Sequence, residues 1–179
     1  SLDILFLAER LAPTPRLIPE DVEQRARMFG ITREIIGRRG LGWMRRIMIF
    51  TPIIRSGKAP EGIRNMATRY GYRDELAQSA PSDAARILAF LSATLERQQA
   101  RGSRYFVGDT LTAADIYWAA FSNIVSPMPA DKCPMPEWLR GSYADIGPVV
   151  AAALKPILLE HRDFVFAEHI GLPMDFLAT

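Results

Sequence analysis

Gly108-Asp109-Thr110-Leu111-Thr112-Ala113-Ala114-Asp115-Ile116 spells out the start of a helix in side chains. Thr112 reads as the N-cap and Asp115 as the third helical residue, a capping box with Asp where Glu is the usual choice. Leu111 before the cap and Ile116 after it have the spacing of a hydrophobic staple. A box of this kind contributes about 1 kcal/mol to helix stability. Its task is to set a helix, not to do chemistry. Beyond the cap, Ala113, Ile116, Tyr117, Ala120, Phe121 and Ile124 recur at steps of three and four, which predicts a helix from Thr112 to about Ile124.

Working outward, helical periodicity recurs along the chain and strand signals do not. Leu2 to Leu11 reads as a helix apolar on two faces, which predicts cover on most sides, between two packed layers. Pro13, Pro15 and Pro19 then make 13–19 an extended connector. A second helix is expected from Glu20 to Ile36, with Glu20, Asp21 and Glu23 placing negative charge at its start. Gly37, Gly40 and Gly42 predict a kink before Trp43 to Phe50 resumes the pattern, and Thr51-Pro52 is expected to close it. Between Ser56 and Ala80 the pattern is weak, with a short helix over Glu61 to Tyr70. Ser82 is expected to open a firmer helix ending near Arg101-Gly102, with Ile87, Leu88, Leu91 and Leu95 on one face. Residues 126–136 carry four prolines and read as a loop. Two last helical pieces, Val149 to Leu154 and Ile157 to about His169, divide at Pro156, a first-turn proline. No hairpin chemistry, repeat or low-complexity tract interrupts this all-α reading of a helical bundle.

Composition narrows the function classes. The 179 residues carry a formal net charge of +2, too balanced for the footprint of a nucleic-acid or anionic-membrane binder. One cysteine, Cys133, excludes an internal disulfide framework and a multi-thiolate metal site, and fits a reducing cytoplasm. No apolar run reaches the ~18 residues of a membrane span. The chain opens on Ser1 inside an apolar helical pattern with no basic leader, so it is expected to be part of a longer chain.

Tyr105-Phe106-Val107, then Gly108, then Thr112-x-x-Asp115 resembles the capping signature of the cytosolic glutathione transferase superfamily. There the signature starts the buried central helix of the C-terminal, all-helical domain. Other segments are similar in the same order. Residues 1–12 look like the last helix of that family's thioredoxin-like domain, 13–19 like the inter-domain linker, and 20–179 like the helical domain itself. The resemblance implies a domain that shapes the substrate site of a protein adding the glutathione thiolate to an electrophilic small molecule. Isomerase, dehalogenase, ether-cleaving and peroxidase variants of that thiol chemistry are open as well. Glutathione would be the co-substrate, held mainly by the thioredoxin-like half, and Ser1 matches the serine that holds its γ-glutamyl carboxylate. A plain helix-starting serine is the alternative for Ser1. The family's thiol-activating residue matches nothing here, so this chain alone is not expected to be active. The family habit of homodimerisation would place Glu20–Ile36 and Ser82–Arg101 at the interface.

The remaining candidates each carry two readings. Arg38, Arg39, Arg45 and Arg46 gather around Trp43, in the stretch that lines the family's electrophile pocket. On the functional reading Trp43, Ile47 and Phe50 form an apolar wall, and Arg38 or Arg46 steers an anionic group. On the other, the arginines are a solvated basic face over a buried tryptophan. The glycines here are no phosphate loop, because no strand precedes them. His161 and His169 lie eight residues apart without acidic or thiol companions, so no metal site is expected. Cys133, without a partner thiol or histidine, reads as an incidental loop cysteine, and Met44, Met48 and Met66 read as core filler. A non-catalytic interaction or scaffold module is the competing function, because fold alone does not give activity.

Overall fold

A computed structural model describes residues 2–174. Its regular elements are α1 (Leu2–Leu11), α2 (Val22–Ile36), α3 (Leu41–Arg55), α4 (Glu61–Arg69), α5 (Asp74–Gln99), α6 (Ala113–Phe121), α7 (Glu137–Ala144), α8 (Gly147–Ala153) and α9 (Pro156–Val165). A 3₁₀ turn, Ser122–Ile124, follows α6, and a π-type turn, Phe166–Ile170, follows α9. No strand occurs among the described residues. The protein is an all-α bundle.

The 26-residue α5 is its spine, packed on α3 along one side and on α8 along another. Helix α6 is nearly all apolar and sits inside, between α2 and α9. Such a helix must be covered on every side, and Ala114, Trp118 and Ala119 are wholly buried. Trp118 meets its one polar obligation by donating its indole N–H to the carbonyl of Leu158 at 2.9 Å.

Several boundaries differ from the sequence expectation. The glycine run is a break, not a kink. Helix α2 ends at Gly37, whose N–H bonds the Arg33 carbonyl at 2.8 Å, and α3 restarts after Gly40. A Cβ at Gly37 would lie 2.4 Å from the Arg33 carbonyl oxygen, and between the two glycines Arg39 takes a left-handed φ of 66°. Helix α3 runs through Pro52 to Arg55, and α5 starts at Asp74 and runs through Pro81. Around Pro81, buried Leu76, Ala77, Ala80 and Ala84 hold the extra turns of α5 to the core, and this packing outweighs the lost backbone hydrogen bond. Met66 is 46% exposed and is not core filler, whereas Met44 is wholly buried and Met48 packs half-buried against the core. On α1, Leu5 is buried while Ile4 and Leu11 are 67% and 77% exposed, so the expected cover on most sides is not present among the described residues.

Candidate functional site

Two polar centres flank α6. The first is the capping box. Thr112 and Asp115 form it as the sequence predicts, and Asp115 Oδ2 accepts both the backbone N–H and the hydroxyl of Thr112 at 2.8 Å. The same carboxylate reaches further. Its Oδ1 accepts the Phe106 N–H at 2.8 Å and lies 2.9 Å from Nε2 of His161, a residue of α9. Asp115 is wholly buried, so these contacts replace its water. The loop 103–108, the start of α6 and α9 are thus tied to one side chain. Sequence spacing could not supply the His161 contact, because nothing local links the two residues.

The second centre lies between α3, the end of α4 and α6. The Trp43 and Tyr70 rings meet edge-on at 4.7 Å between centroids, and the indole N–H donates to the Tyr70 carbonyl at 2.7 Å. Phe50 backs Tyr70 at 5.9 Å. The Arg46 guanidinium lies 5.3 Å from the Tyr70 ring centre and 5.9 Å from that of Phe121, a cation–π arrangement on two rings. Gly42 permits the approach of Phe121, since a Cβ there would lie 2.7 Å from the ring. Trp43, Arg46, Tyr70 and Phe121 are all half-buried and form an aromatic cluster around one cation. Tyr143 of α7 stands near enough for the Arg46 charge to act on it. Burial pushes its phenol up and Arg46 works against that, so the hydroxyl keeps its proton at neutral pH.

The four arginines divide four ways. Arg38 is exposed in the turn after α2. Arg39 pairs with Asp83 of α5 at 3.5 Å. Arg45 points inward, 1% exposed, where its Nε donates to the Ile124 carbonyl at 2.9 Å and its Nη2 to the Asp145 carbonyl at 3.1 Å. Burial lowers its pKa to about 10, with the charge of Asp145 opposing. Only Arg46 faces the rings. Neither of the two readings of this basic stretch describes all four. Of the five pocket candidates the structure brings together Trp43, Arg46 and Phe50. Ile47 is wholly buried in the core, and Arg38 stands apart. Tyr70 and Phe121 complete the cluster; Phe121 lies on the periodic face of α6, while no sequence signal marks Tyr70.

Ser1 lies outside the described residues. Cys133 is wholly buried, and burial pushes its thiol pKa up, the wrong direction for a reactive thiolate. His169 Nε2 lies 3.1 Å from the Tyr105 hydroxyl. Among the described residues no group of three or more His, Cys, Asp or Glu is placed to hold a metal ion, and no helix is long and apolar enough to cross a membrane. A groove of ≈ 530 Å³ runs between α2 and α5, with Gly30 on one bank and Ile87 and the 43%-exposed Phe90 on the other.

Compared with known proteins, residues 43–134 match the family described as glutathione S-transferase, C-terminal domain. The matched span holds Trp43, Arg46, Phe50, Tyr70, the capping box and Phe121. No curated protein and no solved structure matches the chain significantly.

Proposed function

The chain belongs to the glutathione S-transferase C-terminal domain family, and from that premise we propose that it shapes the electrophile site of a glutathione transferase-like protein of the cytoplasm. In this reading a thioredoxin-like domain, joined at the α1 end, holds glutathione and lowers its thiol pKa; Ser1 is the residue of this chain offered to the γ-glutamyl carboxylate. The helical domain supplies orientation and an apolar wall beside the thiolate, which adds to the electrophile. The observation that carries the reading is the half-buried aromatic cluster of Trp43, Tyr70 and Phe121, backed by Phe50, inside the matched span. Flat half-buried rings with one cation suit a small apolar ligand better than they suit the core. For the homodimer, the α2–α5 groove with Phe90 at its edge is the surface offered.

A second reading, a non-catalytic assembly module, draws support from the exposed apolar residues of α1, which ask for a partner. One preparation separates the two: the protein as its native cell makes it, examined for intact mass, sedimentation and glutathione-dependent consumption of an aryl halide. The transferase reading expects extra N-terminal mass, a dimer, and turnover whose electrophile KM rises several-fold in Trp43→Ala while the KM for glutathione holds. Absence of glutathione-dependent turnover, with electrophile binding indifferent to Trp43, would overturn it in favour of the module.

A further inference from the structure

We infer that Glu9 is a positioning residue: its carboxylate locks the connector against α1 and so holds α1 in one register on the bundle. The consequence for catalysis rests on the proposed reading, in which the glutathione-bearing domain joins at α1; the lock itself does not.

Pro13, Pro15 and Pro19 remove backbone donors from 13–19 and forbid a helix there, so nothing local fixes the path of the connector. Three helices fix it instead. Glu9 of α1 accepts two consecutive backbone N–H groups on one oxygen, from Leu17 at 2.5 Å and from Ile18 at 3.1 Å. Its other oxygen faces the Arg16 guanidinium at 4.0 Å. The Leu17 carbonyl accepts the N–H of Ala113, the first residue of α6, at 2.9 Å. That N–H is one of the donors a helix start leaves without an intrahelical partner. Arg25 of α2 donates to the carbonyls of Pro19 at 3.3 Å and Glu20 at 2.7 Å. Leu17 thus joins α1 to the start of α6 through its own two peptide groups.

The Glu9 side chain is only 14% exposed. A glutamate drawn in that far needs partners for its charge, and hydrogen bonds to a carboxylate are the stronger kind. Around the same helix the apolar residues divide. Leu5 enters the core and Phe6 meets the Phe29 ring at 5.7 Å between centroids, while Ile4, Leu7 and Leu11 stay exposed. Leu5 and Phe6 fasten the first half of α1, and Glu9, one turn on from Leu5, fastens the second. A thiolate carried by a domain on the exposed face of α1 would be placed against the bundle only as exactly as α1 itself. Small misplacement of reacting groups is costly in rate.

The lock is tested first without any activity, by hydrogen exchange in the full chain. The amides of Leu17 and Ile18 should be protected, and Glu9→Ala should quicken both by about tenfold or more, the scale of a lost hydrogen bond to a charged group. Glu9→Gln keeps an accepting oxygen and should lose less. Nitroxides at Arg10→Cys and Asp109→Cys, with the wholly buried Cys133 left unlabelled, should give a narrow distance distribution that Glu9→Ala broadens and Glu9→Gln does not. Thermal unfolding is recorded alongside, and the glutamine variant keeps the test decisive if the alanine variant folds poorly. In the protein as its native cell makes it, Glu9→Ala should lower kcat several-fold with the KM for glutathione unchanged, and Glu9→Gln should recover most of the loss. Unprotected Leu17 and Ile18 amides, or a distance distribution indifferent to Glu9→Ala, overturn the lock. A lock seen in both measurements with kcat untouched overturns the positioning role. Absence of glutathione-dependent turnover in the unchanged protein overturns the proposed function and that role with it, while exchange and distance still decide the lock.

Discussion

The polar centre at Asp115 and the polar centre at Arg46 both touch the same short helix and are built in opposite ways. At Asp115 four partners converge on a carboxylate with no exposure, and its donors come from the loop before α6, the cap of α6, and α9. At Arg46 a charge of comparable size sits among rings at half-burial with one acceptor from its own helix. A closed network spends its polar capacity on holding elements together. On the proposed reading, an open one keeps that capacity for a ligand. Arg45, one residue from Arg46, belongs with the first kind. Neighbours in sequence thus meet opposite surroundings because consecutive helical positions point to different faces.

If the Asp115 centre is structural, its loss should be the costliest single change. Asp115→Ala strands the buried N–H groups of Phe106 and Thr112 and the His161 ring, and the expected destabilisation is about 4 kcal/mol, the sum expected for several orphaned buried donors. In a domain of this size that is a fall in melting temperature of roughly 10 °C. A fall of only a degree or two would mean water replaces the carboxylate, and the contrast between the two centres would dissolve. Arg45→Met should cost less, about 2 kcal/mol, because removing the charge also removes its burial penalty while orphaning the Ile124 carbonyl and loosening α7. Hydrogen exchange should quicken in residues 137–146 and stay unchanged in α9. The electrophile KM of the glutathione-dependent reaction should hold in Arg45→Met, and a several-fold rise would place Arg45 with Arg46 after all.

The sequence was legible where structure is local. Thr112 and Asp115 are three residues apart, so the start of α6 could be read from side-chain chemistry, and the all-helical bundle followed from periodicity. The breaks were less legible. Gly37 and Gly40 could mark a kink as well as a stop, and the choice depended on Arg39 entering the left-handed region, which its side chain does not announce. Pro52 and Pro81 read as boundaries, yet packing of their flanks against the core carried both helices through. The aromatic cluster was half legible for the same reason. Trp43, Arg46 and Phe50 share a helix and could be grouped by spacing. Tyr70 and Phe121 reach them from α4's end and from α6, contacts that only tertiary folding creates. Burial of Ile47 and Arg45 was hidden too, since a charged residue beside Arg46 looked like more of the same surface.

The smallest expected change in stability is also the sharpest probe of the open centre. Gly42 is the second residue of α3, and a methyl there would lie 2.7 Å and 2.9 Å from two ring carbons of Phe121 and 3.2 Å from Nη1 of Arg46. Alanine favours a helix over glycine by up to about 1 kcal/mol, less near the first turn, while overpacking costs about 1–3 kcal/mol where the neighbour cannot move. Phe121 is half-buried and can swing. The two terms therefore nearly cancel, and Gly42→Ala should change stability by less than about 1 kcal/mol. Ligand binding should not be spared. A displaced Phe121 removes one of the two rings that hold the guanidinium, so on the proposed reading the electrophile KM should rise several-fold in a protein that melts almost normally. That split between folding and binding is what an open centre requires. If instead melting drops by many degrees with the electrophile KM intact, Phe121 is a structural ring like Trp118, and the aromatic cluster is part of the core.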